Sequence, residues 1–278
     1  MNKIDFYIVG TPIGNLGDMS PRAIETLATV DFIAAEDTRN TLKLLNRFEI
    51  KKPMISYFEH NRRKRGEEIM ALLREGKTGA LVSDAGMPAI SDPGQDLVQL
   101  LYENGFTVST VPGPSAFSAA LVLSGLDTSR FSFEGFLSTT KKNRLEHLDS
   151  IKYTKNTLIF YEGPTKVRGT LEDLKTALGD RQCAVVRELT KIYEQVLRGS
   201  ISDMIAHFET TEPRGEFVIV VAGAGDDEKE APFWEKLSIE DHVEFYINTG
   251  ESKKDAIKHV ANDRNLPKSE VYNSVMKK

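Results

Sequence analysis

Short apolar runs alternate with amphipathic stretches through the first 112 residues of the chain. FYIVG, DFIAA, PMIS, ALVS and FTVSTV are compact runs rich in Val, Ile and Phe. Between them lie PRAIETLA, TLKLLNRF, RRKRGEEIMALLRE and LVQLLYEN, where apolar positions recur at helical spacing. Strands that are apolar throughout, separated by helices of two to four turns, predict a mostly parallel sheet covered on both faces. Ligands then belong at the carboxyl ends of the strands.

A second alternating block follows PGPSAFSAALVLSG, whose helix is expected to begin near Pro114. FSFEGF, TLIFYEG, QCAVVREL, IYEQVLRG and EFVIVVAG are closely spaced, with one helical stretch, VRGTLEDLKTAL, among them. IYEQVLRG suits an antiparallel partner, so a mixed sheet is expected here. The pattern divides the chain into an N-terminal α/β domain (1–116), a C-terminal α/β domain (117–225), an acidic linker (226–237) and a helical tail (238–278). The segment from Ala116 to Ser124 carries the chain across, and the cleft between the α/β domains is the natural place for a site.

Residues 226–247 hold eight acids and two bases, whereas 248–278 hold seven bases and four acids. Within the tail SIEDHVEFYI, KKDAIKHVA and EVYNSVM predict three short helices, with Ser252 and Ser269 as N-caps of the last two. Such a triplet has the build of a helix-turn-helix module, or of a tail that packs on its own dimer.

Three strand ends carry glycine and proline. Gly10-Thr11-Pro12-Ile13-Gly14 precedes a helix signalled by Ser20-Pro21. LVSDAGMPAISDP, from Leu81 to Pro93, turns abruptly from apolar to acid, glycine and proline, and Val111-Pro112-Gly113-Pro114-Ser115-Ala116 closes the block. Glycines let backbone approach a ligand, and the free amides of a following helix can face its polar groups. Neither GxxxxGK[ST] nor GxGxxG is present, which argues against a phosphate loop and a dinucleotide site.

Two polar clusters occupy the same edge. Glu36-Asp37-Thr38-Arg39 follows DFIAA, and Glu59-His60-Asn61 leads into the basic run Arg62, Arg63, Lys64 and Arg65. Their position at the ligand edge favours a functional role over simple capping.

Composition narrows the field. The formal net charge of −5 argues against a protein coated for nonspecific nucleic-acid binding, yet it leaves room for local basic patches. Besides Arg62–Arg65, these are Lys141, Lys142 and Arg144, and a C-terminal set of Lys253, Lys254, Lys258, Lys268, Lys277 and Lys278. No apolar run approaches the roughly 20 residues that span a bilayer, and the N-terminal run is too short for a secretory signal, so a cytoplasmic protein is expected. Cys183 is the single cysteine, which precludes an intrachain disulfide. It lies in an apolar strand and is expected to be core, and the scattered histidines give no metal-ligand spacing, so no metal is expected.

Taken in order, GTPIGNLGDMSPRA, AEDTR, SYFEHN, LVSDAGMPAISDPG, VPGPSA, FEGFL, FYEGP, RELTKIYEQV and GEFVIVV resemble the ribosomal-RNA branch of the tetrapyrrole methylase family from residue 4 to about 222. The resemblance implies a two-domain α/β class III methyltransferase with a small helix-turn-helix-like tail, working as a homodimer. The activity implied is 2′-O-methylation of a cytidine ribose in the decoding region of 16S ribosomal RNA, in the small ribosomal subunit, with S-adenosylmethionine as donor. Carried over residue by residue, the donor is held by Pro12, by Asp84, Ala85, Gly86 and Ile90, by Ser115 and Ala116, and by Tyr161 and Val221 from the second domain.

A sulfonium methyl is already electrophilic, so the harder step is deprotonating a weakly acidic ribose hydroxyl. Asp37, His60 and Lys191 are the candidates, Lys191 serving as base only if its surroundings lower its pKa, and otherwise stabilising negative charge. Arg39 and Asn61 position phosphate or ribose, and Arg62, Arg63, Arg65, Lys141, Lys142 and Arg144 contact RNA. The chain departs from the family at Ser138-Thr139-Thr140, where proline and an arginine cluster are common, and at Gly163, Thr165 and Lys166, where serine-proline-histidine-arginine is commoner. Those departures bear on RNA contacts. The alternatives are a methyltransferase of the same fold acting on a tetrapyrrole or a protein side chain, and a ribosome-binding module without turnover.

Overall fold

The computed structural model describes residues 3–226, 228 and 233–276. Residues 1–225 form one compact unit and 226–278 a second.

The first sheet is parallel throughout, with β1 (Phe6–Val9), β2 (Phe32–Ala35), β3 (Met54–Ser56), β4 (Gly79–Val82) and β5 (Val108–Val111) in the order β3-β2-β4-β1-β5. Helices α1 (Pro21–Thr29), α2 (Thr38–Arg47), α3 (Arg62–Arg74) and α4 (Gly94–Glu103) connect the strands. Alternate residues of each strand enter opposite cores: Phe6, Phe32, Ala34 and Leu81 pack with Ile69, Leu73, Leu97 and Leu101, whereas Val9, Ile33, Ala35 and Val82 pack with Leu27 and Leu45. Glycine is required at Gly79, where a Cβ would stand 2.4 Å from the Phe32 ring.

The chain leaves β5 through Pro112–Ser115 and enters α5 (Ala116–Ser124), which packs on the second sheet. That sheet has the order β6-β7-β10-β8-β9, from β6 (Phe131–Phe136), β7 (Thr157–Glu162), β8 (Gln182–Arg187), β9 (Gln195–Ser200) and β10 (Phe217–Val221). Only β6 and β7 run parallel, and β9 pairs antiparallel with β8. The sheet is therefore mixed. Its outer face is covered by α6 (Lys141–Ser150), α7 (Val167–Leu178) and α8 (Ile201–Thr210), and its inner face by α5 through Ala120 and Leu121 against Ile159, Val186, Val218 and Val220. Cys183 is buried in the outer core, and burial pushes its thiol up to about 12, which makes it inert as a nucleophile.

The second unit holds α9 (Ile239–Asn248), α10 (Lys253–Asp263) and α11 (Lys268–Met276) around Val243, Ala256, Val260 and Val271. Ser238 and Ser252 cap the first two, each side chain accepting from the amide three residues on. Of the acidic linker read from the sequence, residues 227 and 229–232 lie outside the described residues. Phe233 and Trp234, at its end, pack on His242 of α9. Lys277 and Lys278 of the basic set also lie outside the described residues.

Candidate functional site

Three loops leave neighbouring strands β1, β4 and β5 at their carboxyl ends, and main-chain atoms knit them together. Thr11 and Gly86 exchange amide-to-carbonyl hydrogen bonds of 2.9 and 3.1 Å. Gly10 and Gly113 lie so close that a Cβ on Gly10 would stand 2.7 Å from the Gly113 Cα. The Gly113 amide also donates to the Met87 sulfur at 3.2 Å.

The middle loop is the most contorted. Gly86, Ala89 and Ser91 all have left-handed backbone, with φ of 81°, 70° and 62°. For Ala89 and Ser91 such geometry costs about 1–3 kcal/mol each and persists only where the surroundings enforce it. Here the Asp92 carboxylate enforces it, accepting from the Ala89 amide at 2.9 Å and the Gly94 amide at 2.7 Å.

The three loops and the second sheet enclose a cavity of about 500 Å³. Its apolar wall is Ile13, Ala116, Val186, Leu189 and Val218, with Tyr161 and Phe136 as aromatic surfaces. Its carboxylates are Glu36, Asp84 and Asp92 on the side of the first sheet and Glu162 and Glu216 on the side of the second. Burial raises the Glu36 pKa, with help from the nearby carboxylates of Asp84 and Asp92. Burial also raises Asp92, against the amides that favour its ionised form. The hydroxyl of Tyr161 accepts from the Phe117 amide at 3.1 Å, tying β7 to the first turn of α5.

Seven of the nine expected donor residues line this cavity: Asp84, Ala85, Gly86, Ile90, Ser115, Ala116 and Tyr161. Pro12 sits between Thr11, paired with Gly86, and Ile13, which lines the cavity, but does not itself line it. Val221 does not line it either. Because β10 is antiparallel to β7 and β8, its first residues lie beside their carboxyl ends: Val218 pairs with Tyr161 and Val186, whereas Val221 pairs with Leu158 and Cys183 in the outer core. Phe217 and Val218 take the place that the sequence assigns to Val221.

The expected bases are placed otherwise. Asp37 caps α2 through the Arg39 amide, and its hydrogen bonds with the Arg39 side chain hold its carboxyl at about 2, too acidic to take a proton from a hydroxyl at neutral pH. Burial works to lower the Lys191 pKa, but hydrogen bonds to Glu216 and Glu188 outweigh it and hold it raised. Lys191 is therefore a fixed cation. It abuts the first loop, since a Cβ on Gly14 would stand 2.5 Å from the Lys191 Cγ. His60 is exposed, edge-on to Phe58 with ring centroids 6.3 Å apart.

Among the expected RNA contacts, Arg39 is paired with Asp37, Arg62 with Asp96 and Arg65 with Glu68. Asn61 is a loop brace, accepting from the Phe58 amide and donating to the Ser56 carbonyl. Arg144 is pinned inside its domain by Asp173 at 2.6 Å and by the Ser138 carbonyl at 2.9 Å. Lys142 forms a loose pair with Glu146, and Lys141 is exposed. Arg63 is exposed in the first turn of α3, where Arg62, Lys64 and Arg65 add to a like charge that the helix dipole disfavours.

Residues 5–205 match the profile of the tetrapyrrole (corrin/porphyrin) methylases. The chain belongs to the tetrapyrrole methylase family. Two relatives named ribosomal RNA small subunit methyltransferase I match almost end to end: that of Halalkalibacterium halodurans is 49% identical over 98% of this chain and 94% of its own length, and that of Bacillus subtilis 48% identical over 96% and 92%. A third of the same name, from Thermotoga maritima, is 49% identical over 78% of this chain and 97% of its own. Among solved structures, cobalt precorrin-4 methyltransferase superimposes with a TM-score of 0.60 at 18% identity, covering 78% of this chain and 94% of that one. At that identity the likeness shows the tetrapyrrole methylase fold alone.

Glu36 and Asp92, which line the cavity with raised pKa values, were not among the candidate residues read from the sequence, although both sit inside motifs it singled out. The signal that finds them is burial, which sequence spacing does not carry. Among the described residues no cluster of His, Cys, Asp and Glu could hold a metal ion.

Proposed function

We propose that this chain transfers a methyl group from S-adenosylmethionine to the 2′-oxygen of a cytidine ribose in the decoding region of small-subunit ribosomal RNA. The observation that carries the reading is the near end-to-end match to relatives named for methylating that RNA. The cavity fits such a donor: its apolar wall suits an adenosine, and the carboxylates that line it suit a ligand that carries sulfonium and ammonium cations. When bound, the donor supplies a methyl carbon already activated for transfer.

The protein's own contribution is alignment and a proton acceptor. The backbone of the three knitted loops and the Tyr161 hydroxyl's bond to the Phe117 amide fix the walls, so a ligand finds the cavity already shaped. Glu36 and Asp92 are the carboxylates at the cavity whose raised pKa brings them closer to a hydroxyl's needs. One of them accepts the ribose proton as the oxygen attacks. Lys191, neutralised by Glu188 and Glu216, braces the rim. Arg63 and Lys64 hold phosphate, their repulsion within α3 being relieved when an anion binds.

The protein works in the cytoplasm as a homodimer. Support for pairing comes from β5, the outermost strand of its sheet, beside an apolar groove lined by Val98, Tyr102, Phe106 and Val108. Labelled S-adenosylmethionine incubated with small subunits, naked ribosomal RNA and a tetrapyrrole precursor tests the activity. Alkali-resistant label in the RNA supports the reading, and label only on the tetrapyrrole, or on nothing, overturns it.

A further inference from the structure

The turn between β8 and β9 is a rigid platform that ends in two exposed apolar side chains. Glu188 and Thr190 are held in left-handed backbone, with φ of 50° and 63°. The Thr190 amide donates to the Glu194 carboxylate at 2.7 Å, the Glu194 amide to the Lys191 carbonyl at 3.1 Å, and the Lys191 amide to the Glu188 carbonyl at 3.0 Å. The Lys191 ammonium bridges Glu188 and Glu216 at 2.9 and 2.8 Å. From this base project Ile192, 95% exposed, and Tyr193, 74% exposed. Leu189 and Glu216, at the foot of the platform, line the cavity.

Two large apolar side chains held in water on a strained, fully braced turn contribute nothing to the core. They project from the turn whose Leu189 lines the cavity of about 500 Å³, and a ribose has to reach that cavity from outside. To reach it a nucleotide leaves its stack, and the neighbouring base then presents an uncovered face. Aromatic side chains cover such faces whatever the base.

We infer that Tyr193, backed by Ile192, stacks on the nucleobase next to the target nucleotide. This rests on the RNA reading above. It makes Tyr193 a positioning residue for RNA, with no part in donor binding.

The test is methyl transfer by the full chain and its Tyr193→Ala, Tyr193→Phe and Ile192→Ala variants, on small subunits and on naked ribosomal RNA, with melting temperature as a check on folding. The expected result is a rise of about tenfold in the RNA KM of Tyr193→Ala on both substrates, from the loss of one base–aromatic stack. Tyr193→Phe restores the wild-type value, Ile192→Ala shows a smaller rise, and the donor KM is unchanged in all. A Tyr193→Ala KM within twofold of wild type, or a Phe variant as impaired as Ala, overturns the inference and leaves the RNA activity standing. A defect on subunits but not on naked RNA also overturns it, because the tip would then touch a ribosomal protein. A wild-type chain that methylates no RNA overturns both.

Discussion

Thr11 and Gly86 exchange both of their backbone hydrogen bonds, joining the loop after β1 to the loop after β4 as if the two were one short ribbon. Gly86 does this at φ +81°, and a Cβ there would meet the Ile13 Cγ2 at 3.3 Å and the Pro114 carbonyl oxygen at 3.4 Å. Gly86→Ala is therefore expected to bind S-adenosylmethionine about 5- to 30-fold more weakly by calorimetry, through a loss of roughly 1–2 kcal/mol in loop geometry. Gly76→Ala is the control. It carries the same φ of +81° with nothing within 4 Å, so it should lose similar stability and keep its donor affinity.

Replacing the two raised carboxylates separates catalysis from capping. Glu36→Gln is expected to lower kcat about 100-fold or more with donor affinity kept, whereas Asp92→Asn also removes acceptors for the Ala89 and Gly94 amides and should weaken donor binding as well. Asp37→Asn should stay within a few-fold of wild type, because Asp37 is ionised and bound to Arg39. Single-turnover transfer assays distinguish these outcomes, and equal defects in all three would sink the assignment.

The pH profile of kcat carries the same information. A base must be deprotonated to work, so the rate falls as pH drops through its pKa. With Glu36 and Asp92 both raised, the acid limb should have its midpoint above the ordinary carboxylate values of 4.5 and 3.8. A limb set by Asp37 would lie near 2 instead. Lys191, held raised, should add no limb near neutrality.

Arg144 and Arg63 should respond differently to truncation. Arg144→Ala breaks the half-buried pair with Asp173 and frees the Ser138 carbonyl, which is expected to cost about 1–3 kcal/mol of stability with RNA affinity little changed. Arg63→Ala should leave melting unchanged or raise it, weaken RNA binding, and reduce the slope of log affinity against log salt by about 1.

Trp234, the single tryptophan of the chain, stacks on His242 at 5.4 Å and lies under Arg264. Burial lowers the His242 pKa below 6.5, with the Arg264 charge adding to the effect, and Arg264 donates to its Nδ1. The folded state thus takes up the proton less readily than the unfolded chain. Stability from this contact is complete above pH 6.5 and is lost as pH falls through 6.5 towards the depressed folded value. Tryptophan fluorescence should report unfolding of the C-terminal unit at mildly acid pH, and His242→Gln should blunt the response.

Much of the fold was legible because strand identity in a parallel sheet is written in continuous apolar runs. FIAA and GALV leave little alternative. The loops followed from glycine and proline at strand ends. Two helices of the second block, α6 and α8, were not read from the pattern, although Ser200 and Asp203 form a full capping box at the start of α8. The misplacement of Val221 has a different origin. Apolar spacing marks a strand but not its direction, and direction decides which end of FVIVV meets the cavity. The pairing of Lys191 and the raised pKa of Glu36 and Asp92 were not legible because a pKa is set by neighbours across the fold, such as Glu216 beside Lys191.

The knitting of the three loops has a consequence for how the protein can change over time. Where the walls of a cleft are main chain, most side chains on them are free to drift, and only the few positions that cannot tolerate a Cβ, Gly10 and Gly113 foremost, are bound to stay. Such an architecture is inherited as a shape more than as a text. A structure sharing 18% of its residues with this chain can keep the same fold.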